Sequence, residues 1–421
     1  MNGSTALCRI ALVSMHTSPV AAPGSGDAGG MNVYLEAVSR HLVAQGLSVD
    51  LLTRRTDPDQ PDELTLPSGA RLRHLTAGPP DTVPKADLGR FVEEFSEGLA
   101  ELEPYDVVHS HYWLSGVAGL ALASASGAPH VLNLHTVAAM KNAALPAGDS
   151  PEPEYRLRWE GDLVRASVMT VAATSAEAQA IRSDYGADPD RLTVIPPGVD
   201  RELFRPDAPA AGWLRNLQPP ALRSVLTAGG YLMMAARTQP LKGHDLAIRA
   251  LGAMDPVTRP PLVIVGDVSP GNQQYRAELE ELVHLLGLDG EVWFLPAQPR
   301  DRLADLLRGA ALLLAPSHSE TFGLVTLEAA ASGTPTVASR VNGLAEAVSE
   351  GVSGVLVSGF DAQMWAMTID DLLSRPKVLA GMGVSATQYA AGFDWGMVAA
   401  TLARLYRELA AQVSAGTPCW G

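Results

Sequence analysis

Two glutamates, Glu320 and Glu328, bracket a Phe322-Gly323 turn, and their spacing suggests a binding site more strongly than any other feature of this chain. An apolar run at residues 311–315 predicts a strand before the turn, and residues 324–331 predict a helix that begins at it. Glu320 then lies in the strand-to-helix loop and Glu328 within the helix. Because backbone N–H groups at a helix start favour anions and sugar hydroxyls, this arrangement suits a polyol held beside a phosphate. The alternative is an ordinary amphipathic helix with a solvated glutamate.

A basic pair follows another predicted strand. Arg237 and Lys242 stand five residues apart in the loop after the apolar run at residues 231–236. A planar guanidinium and a compact ammonium at this spacing match the two phosphates of a diphosphate. The sequence therefore predicts a diphosphate site in this loop. An ordinary solvated basic turn is the alternative.

A glycine-rich loop, residues 23–32, joins the first predicted strand to the first predicted helix. The Gly29-Gly30 pair stands directly before that helix, where backbone N–H groups can approach a phosphate closely. The loop has neither the G-x-G-x-x-G spacing of dinucleotide-binding proteins nor a Walker lysine. We predict a phosphate contact here, with a flexible surface loop as the alternative.

Histidines follow two further predicted strands. His109 and His111 come after one strand, and His135 with Thr136 comes after the next. The chain has no H-E-x-x-H motif, and no cysteine or carboxylate stands near these histidines at ligand spacing, so we predict no metal site. His135 and Thr136 are expected to line a cleft and to form hydrogen bonds there.

The elements that must position these residues are short apolar strands alternating with helices, a pattern typical of parallel sheets covered on both faces. The pattern stops at a proline-rich stretch and then restarts. We predict two doubly wound α/β domains, 1–200 and 229–393, joined by a linker, 201–228, with a last helix in 394–421 that packs back onto the first domain. Open parallel sheets bind ligands at the carboxyl ends of their strands, so the two domains should face one another across a cleft.

Composition sets limits on function. The chain has 421 residues, 47% of them apolar and 18% charged, with a net charge of -15, which disfavours non-specific nucleic-acid binding. Its two cysteines, Cys8 and Cys419, cannot form a disulfide framework, and a reducing cytoplasm is the simplest setting. No signal peptide and no apolar run long enough to span a membrane is evident. We expect a cytoplasmic protein whose partners are small molecules, and the sequence leaves a homodimer possible.

Taken together, these motifs resemble the retaining glycosyltransferases of family four, which have the GT-B fold. The resemblance covers almost the whole chain and includes residues 29–32, residues 197–200, the basic pair and the two glutamates. It implies a nucleotide-sugar donor carrying UDP or GDP, no required cofactor and no metal. It also implies that the acceptor attacks the sugar on the face from which the diphosphate departs. The leaving diphosphate then accepts the acceptor's proton. The implied catalytic residues are His135, Arg237, Lys242 and Glu320, and the implied donor-binding residues are Gly29, Gly30, Arg237, Lys242, Gln298, Glu320, Phe322, Gly323, Leu324, Val325 and Glu328. Within that set, Arg237 and Lys242 would hold the diphosphate, Glu328 the ribose and Glu320 the sugar.

Motifs of the first domain resemble the branch of this family that acts in mycothiol biosynthesis, which transfers N-acetylglucosamine from UDP to 1L-myo-inositol 1-phosphate. They comprise residues 15–19, 26–34, 109–116 and 141–142. The resemblance implies an acceptor-phosphate site whose two cations and two hydroxyls suit an anion. The implied acceptor-binding residues are Asn32, Lys85, Tyr112, Thr136 and Arg156.

The second domain departs from the same branch. Ala236 replaces a glycine before Arg237, residues 266–271 replace a Gly-Gly-Pro-Ser-Gly loop, and Gln298 replaces an arginine near the base. These positions adjoin the nucleotide and its sugar. An antibiotic-pathway branch that joins a GDP-octose to the sulfur of ergothioneine, a carboxylate acceptor, is therefore the alternative. A non-catalytic nucleotide-sugar sensor is an alternative of another class, although such a protein usually lacks part of the diphosphate or glutamate set, and this chain keeps both.

Overall fold

The computed structural model describes residues 8–24, 26–146, 149–207 and 212–414. Ser25 of the glycine-rich loop, Cys419 and the end of the predicted last segment lie outside the described residues. The chain forms two parallel sheets with helices on both faces, which is the two-domain α/β architecture that the sequence predicts.

The first sheet has eight strands in the order β3-β4-β2-β1-β5-β6-β7-β8, and only the edge strand β3 runs antiparallel. That strand was not predicted, because its three residues are all exposed and show no apolar alternation. The strands are Arg9–Val13 (β1), Ser48–Arg54 (β2), Glu63–Thr65 (β3), Arg71–Leu75 (β4), Val107–His111 (β5), His130–Asn133 (β6), Met169–Ala172 (β7) and Leu192–Val194 (β8). The helices are Gly30–Ala44 (α1), Val92–Ala100 (α2), Trp113–Ser126 (α3), Ala138–Ala143 (α4), Glu154–Ala166 (α5) and Ser175–Tyr185 (α6).

The second sheet has six parallel strands in the order β11-β10-β9-β12-β13-β14. Its strands are Tyr231–Ala235 (β9), Leu262–Val265 (β10), Val292–Leu295 (β11), Ala310–Ala315 (β12), Thr336–Ser339 (β13) and Gly354–Val357 (β14). The helices of this half are Pro220–Ala228 (α7), His244–Ala253 (α8), Gln273–Leu285 (α9), Arg300–Gly309 (α10), Leu324–Ala331 (α11), Leu344–Ala347 (α12), Ala362–Leu373 (α13) and Pro376–Ala390 (α14), and Trp395–Ser414 (α15) ends the described chain.

The central strands are buried from both faces, as their near-continuous apolar sequence requires. Residues 10–13 of β1 and residues 312–314 of β12 are almost wholly inaccessible to solvent. Separate apolar clusters fill the two sides of each sheet. Burial of this kind fixes the strand order and therefore fixes which strand-end loops are neighbours.

The last helix packs on the first domain, and the predicted linker contains a helix that packs on the second. Helix α15 packs against α1, and its Trp395 and Tyr406 join the apolar cluster of the first domain. The predicted linker contains α7, whose Leu222 and Leu226 pack in the core of the second domain. This helix is thus structurally part of the second half.

The carboxyl ends of the two sheets face one another, and several contacts join the domains directly. Arg237 donates to the Gly26 carbonyl at 3.1 Å, linking the second domain to the glycine-rich loop. Glu346 accepts hydrogen bonds from the backbone N–H groups of Ser175 and Ala176 at 2.9 and 2.8 Å, at the start of α6. A carboxylate at that position suits the positive end of the helix dipole. Within the described residues, no helix is long and apolar enough to cross a bilayer.

Candidate functional site

A cavity of about 380 Å³ lies between the domains, at the carboxyl ends of both sheets. Fifteen of the residues predicted for the site line it, and two, Asn32 and Arg156, do not. The lining residues among those predicted are Gly29, Gly30, Lys85, Tyr112, His135, Thr136, Arg237, Lys242, Gln298, Glu320, Phe322, Gly323, Leu324, Val325 and Glu328.

The basic pair lies on the second-domain side of this cavity. Arg237 follows β9, with Asp27 at 3.6 Å from its guanidinium. Lys242 ends a single 3-10 turn, Pro240–Lys242, which the left-handed Gly243 closes. The Lys242 ammonium lies 2.5 Å from the Glu320 carboxylate. The two cations predicted for a diphosphate therefore each have an acidic side chain nearby.

The start of α11 forms the adjoining wall. Gly323 caps this helix with a φ of 91°, and a Cβ there would lie 2.6 Å from a Leu344 methyl group, so only glycine fits. The N–H groups of Leu324 and Val325, the first two residues of α11, have no carbonyl partner within the helix, whereas that of Thr326 donates to Gly323. They lie in the cavity wall beside Glu320, as the Phe-Gly turn predicts, where they can donate to oxygen atoms of a ligand.

Glu328 has a partner that sequence reasoning missed. Arg300, the first residue of α10, lies 2.6 Å from the Glu328 carboxylate, whose side chain is only 6% exposed. The Arg300 guanidinium also stacks on the Phe204 ring at 4.8 Å. Both charged groups line the cavity, so Arg300 holds the carboxylate in a fixed position. No sequence motif marks Arg300.

The predicted acceptor residues cluster on the first-domain side. The Lys85 ammonium lies 4.1 Å from the centre of the Tyr112 ring, and the Arg156 guanidinium lies 4.8 Å from the same ring. Arg156 also donates to the Thr136 hydroxyl at 3.0 Å. Tyr112 adopts a φ of 77°, which is costly for a residue with a side chain and is most often seen at functional sites. The structure thus brings Lys85, Tyr112, Thr136 and Arg156 together.

Arg156 lies behind this cluster and not on the cavity wall. It is 4% exposed and pairs with Glu160 at 2.7 Å and Glu152 at 2.8 Å. Although burial alone lowers the pKa of the guanidinium, Glu160, Tyr112 and Glu152 raise it overall. Lys141 also pairs with Glu152, at 3.0 Å. Of the described cations at this end, only Lys85 lines the cavity without a carboxylate within 4 Å.

Asn32 has a positioning role within the glycine-rich loop. Its side-chain carbonyl accepts from the Gly29 N–H at 2.8 Å, and its amide donates to the Thr17 hydroxyl and the Ser18 carbonyl. The Gly29 N–H is therefore already used, and Gly30 at the start of α1 is the nearer candidate for a phosphate contact. Gly30 also adjoins Leu324 across the cleft.

Histidines form the floor of the cavity. His135 has a φ of 58°, and its Nε2 lies 2.8 Å from His111 Nδ1. Burial lowers the pKa of His135 to about 3, so this ring is neutral at physiological pH. His16, which was not singled out by sequence, contacts Tyr112 with the ring centres 4.4 Å apart and the ring planes tilted by 45°. Burial and the nearby Lys85 charge lower the pKa of His16 well below its usual value.

Three of the divergent positions of the second domain, Ala236, Gly266 and Gln298, line the cavity. Asp267 accepts a hydrogen bond from the Ala297 N–H at 2.9 Å, and its own N–H donates to the Gly24 carbonyl at 3.2 Å. The Gln298 side chain donates to the Pro296 carbonyl at 3.0 Å. Asp267 thus joins the loop around Ala297 to the first domain. In the part of the chain that is described, no group of three or more histidine, cysteine or acidic side chains is arranged to hold a metal ion.

Two family models match the chain. Residues 29–198 match the glycosyl transferase 4-like domain, and residues 227–389 match the glycosyl transferases group 1. The chain is 42% identical over 414 residues to D-inositol 3-phosphate glycosyltransferase of Nocardiopsis dassonvillei, covering 96% of this chain and 95% of that protein. It is also 42% identical to the protein of the same name from Thermobispora bispora, over 97% of both chains.

Solved structures share the fold. Sucrose-phosphate synthase from Thermosynechococcus elongatus superposes with a TM-score of 0.86 at 28% identity, covering 96% of this chain and 99% of that one. Anabaena HepE in complex with UDP and glucose superposes with a TM-score of 0.73 at 22% identity, covering 95% and 100%. The predicted fold, two doubly wound domains facing a cleft, is confirmed.

Proposed function

The chain belongs to the family-four glycosyltransferases with the GT-B fold, and from this membership we propose that it transfers N-acetylglucosamine from UDP-N-acetylglucosamine to 1L-myo-inositol 1-phosphate, with retention of configuration. That acceptor is the same compound as D-inositol 3-phosphate, which the names of the curated relatives contain.

One observation carries the proposal, namely that cations from both domains line a single cavity. Arg237 and Lys242 come from the second domain, and Lys85 with Tyr112 and Thr136 comes from the first. A diphosphate beside Arg237 and Lys242 and a phosphate beside Lys85 would place a sugar between them. Binding both substrates in one cavity removes the need for a bimolecular encounter at the reacting atoms.

In the proposed reaction the bond between the sugar and the diphosphate breaks, and a hydroxyl oxygen of the acceptor attacks from the same face. The hydroxyl's proton passes to the departing diphosphate. Arg237, Lys242 and the N–H groups of α11 stabilise the negative charge that grows on the diphosphate. Glu320 and His135 hold the sugar hydroxyls, and Glu328 holds the ribose.

The test is turnover with defined substrates. Purified protein is incubated with UDP-N-acetylglucosamine and 1L-myo-inositol 1-phosphate, and the product is identified by mass spectrometry and its anomeric configuration by NMR. We expect a glycosylated inositol phosphate with the donor's α configuration. Inositol without its phosphate is the matched control and should react far more slowly, because it lacks the anionic group that Lys85 attracts.

The divergence of residues 266–271 and of Gln298 from the mycothiol branch supports a second candidate on the donor side. Within residues 266–271, the Asp267 carboxylate accepts a hydrogen bond from the Ala297 N–H, next to Gln298. A GDP-sugar donor with a carboxylate acceptor such as ergothioneine is this candidate. A larger thermal shift with GDP than with UDP, together with no inositol phosphate turnover, would favour it over the first.

A further inference from the structure

The contact between the buried His111 and the cavity-lining His135 has a consequence for what the cavity offers a ligand. His111 Nδ1 and His135 Nε2 lie 2.8 Å apart, which is hydrogen-bonding distance. The ring centres are 5.1 Å apart and the ring planes differ by 30°, so the rings meet at their edges. Such a contact between neutral imidazoles contains a single hydrogen, and it belongs to one ring or the other.

The surroundings of His111 decide which ring carries that hydrogen. His111 is completely buried, and its Nε2 has no hydrogen-bond partner among the described residues. If His135 donated, His111 would carry its hydrogen on Nε2, as a buried N–H without an acceptor. If His111 donates from Nδ1, its Nε2 instead carries a lone pair that accepts no hydrogen bond. Orphaned buried N–H donors are the rarer and more costly of the two.

We propose that His111 is a positioning residue that donates from Nδ1 to His135 Nε2 and so fixes His135 in its Nδ1–H tautomer. His135 Nδ1, which has no partner among the described residues, is then a hydrogen-bond donor available to a ligand in the cavity. The ligand atom beside it must accept a hydrogen bond, as a sugar hydroxyl or carbonyl oxygen does. A ligand ammonium group at that place would be unfavourable, because the ammonium and His135 Nδ1–H are both hydrogen-bond donors. The use of this donor by the sugar rests on the proposed function.

The backbone around His135 supports this assignment. His135 is held in a left-handed conformation, and its backbone N–H donates to the Asn133 side chain at 3.2 Å. Tyr34 contacts the ring edge-on with ring centres 5.2 Å apart. The ring is therefore fixed in place from three sides, and a ring flip would put Cε1 in the place of Nε2 and break the His111 contact. Burial, with the neighbouring His109 and His135, keeps the pKa of His111 well below its usual value, so that ring is neutral.

The tautomer of His135 can be determined by NMR without an activity assay. Full-length protein labelled with ¹⁵N in its histidine rings is studied by long-range ¹H–¹⁵N correlation NMR, and the His135 signals are assigned by their loss in His135→Gln. We expect the Nδ1–H pattern for His135 in the wild type. An Nε2–H pattern there would overturn the proposal, whatever substrates the enzyme accepts.

Two variants of His111 test the positioning role. His111→Phe keeps an aromatic ring but has no donor, and we expect kcat to fall about 10- to 100-fold, with nucleotide affinity unchanged. His111→Asn can place an amide N–H near the former Nδ1, and it should restore most of the activity and the Nδ1–H signal. Equal activity of the Phe and Asn variants would overturn the proposal. Where the Phe variant does not fold, the wild-type spectrum and the Asn variant decide. If no substrate pair is turned over, the spectrum still tests the tautomer, so its failure is distinct from a failure of the proposed function.

Discussion

The Lys242 ammonium lies 2.5 Å from the Glu320 carboxylate, so the cation assigned to the diphosphate and the carboxylate assigned to the sugar form one ion pair. Both side chains are partly exposed to the cavity, at 18% and 23%. A bound diphosphate is therefore attracted by the lysine and repelled by the glutamate. Interactions of this kind contribute to catalysis when they change as the leaving group gains charge.

Replacing Glu320 with glutamine should separate binding from turnover. The amide can still bond to a sugar hydroxyl, but the negative charge beside Lys242 is removed. We expect nucleoside diphosphate to bind at least as tightly as in the wild type, while kcat falls roughly 10²-fold. Isothermal titration with the free nucleotide and initial-rate kinetics give the two quantities. Weaker nucleotide binding would show that the ion pair organises the diphosphate site and does not compete with it.

Arg237→Ala should lower kcat more than it raises the donor KM. The guanidinium at the end of β9 contacts the glycine-rich loop and lines the cavity, where it can stabilise the departing diphosphate. Loss of one such donor commonly costs about 10²- to 10³-fold in kcat. Steady-state kinetics measure the effect, with Arg375→Ala, a half-exposed arginine of the same domain, as the control. A raised KM at unchanged kcat would place Arg237 away from the leaving group.

Glu328 and Arg300 should behave as one unit in nucleotide binding. Glu328→Gln removes a charged acceptor for the ribose hydroxyls and should weaken the binding free energy of UDP or GDP by about 1.5–3 kcal/mol. Arg300→Gln removes the group that orients this carboxylate and should have a smaller effect. Because the two side chains are in contact, the double variant should be no worse than Glu328→Gln alone. Additive losses by calorimetry would show that each residue contacts the nucleotide independently.

Much of the architecture follows from the sequence because most buried strands are short apolar runs and helical segments separate them. The Phe322-Gly323 turn predicted both the start of α11 and the placement of Glu320 before it, and the structure agrees. The proposed roles of the site residues remain predictions. What the sequence did not specify is the order of the strands within each sheet.

Strand order explains the contacts that were missed. β9 and β12 are neighbours although they are about 80 residues apart, so the loops after them meet and Lys242 reaches Glu320. Arg300 reaches Glu328 for a similar reason, because α10 and α11 are in contact. The pairing of Arg156 with Glu160 follows from their spacing of four residues on α5, whereas Glu152 lies before this helix and reaches Arg156 from the preceding loop.

Glu177 should make the protein less stable as pH rises. It is fully buried, its Oε2 accepts from the Ala173 N–H, and its Oε1 has no partner among the described residues. Burial raises the pKa of this carboxyl from 4.5 to about 8. Between those values the native state holds a proton that the unfolded chain has lost, so the free energy of unfolding falls with pH and levels off above about 8.

Glu177→Gln removes this dependence because glutamine has no proton to lose. Melting temperatures measured from about pH 5 to about pH 9 should fall less steeply for this variant than for the wild type. Glu97→Gln, a change at an exposed position on α2, should follow the wild-type curve. Parallel curves for the wild type and Glu177→Gln would mean that the buried carboxyl does not titrate in this range.

Lys85→Ala should weaken binding of the acceptor and leave binding of the nucleotide unchanged. Lys85 is the cavity-lining cation of the first domain that has no acidic partner among the described residues, so its charge is available to an anionic acceptor. We expect the acceptor KM to rise by roughly 10- to 100-fold, which corresponds to about 1.5–3 kcal/mol for a charge-assisted bond. The affinity for free nucleotide, measured by calorimetry, should not change, because the nucleotide is proposed to bind on the second domain. Lys377→Ala, an exposed lysine of α14, is the control.

Salt and a comparison with Arg156 sharpen this test. Added salt screens an attraction between exposed charges, so the wild-type acceptor KM should rise with ionic strength and that of Lys85→Ala should rise less. Arg156→Ala should differ in kind, because it leaves the buried carboxylate of Glu160 unpaired. Its melting temperature should fall along with its acceptor affinity, whereas Lys85→Ala should keep the wild-type melting temperature. Equal salt dependence in Lys85→Ala and the wild type would show that the acceptor is held without this charge, and would leave Tyr112 and Thr136 as its polar contacts.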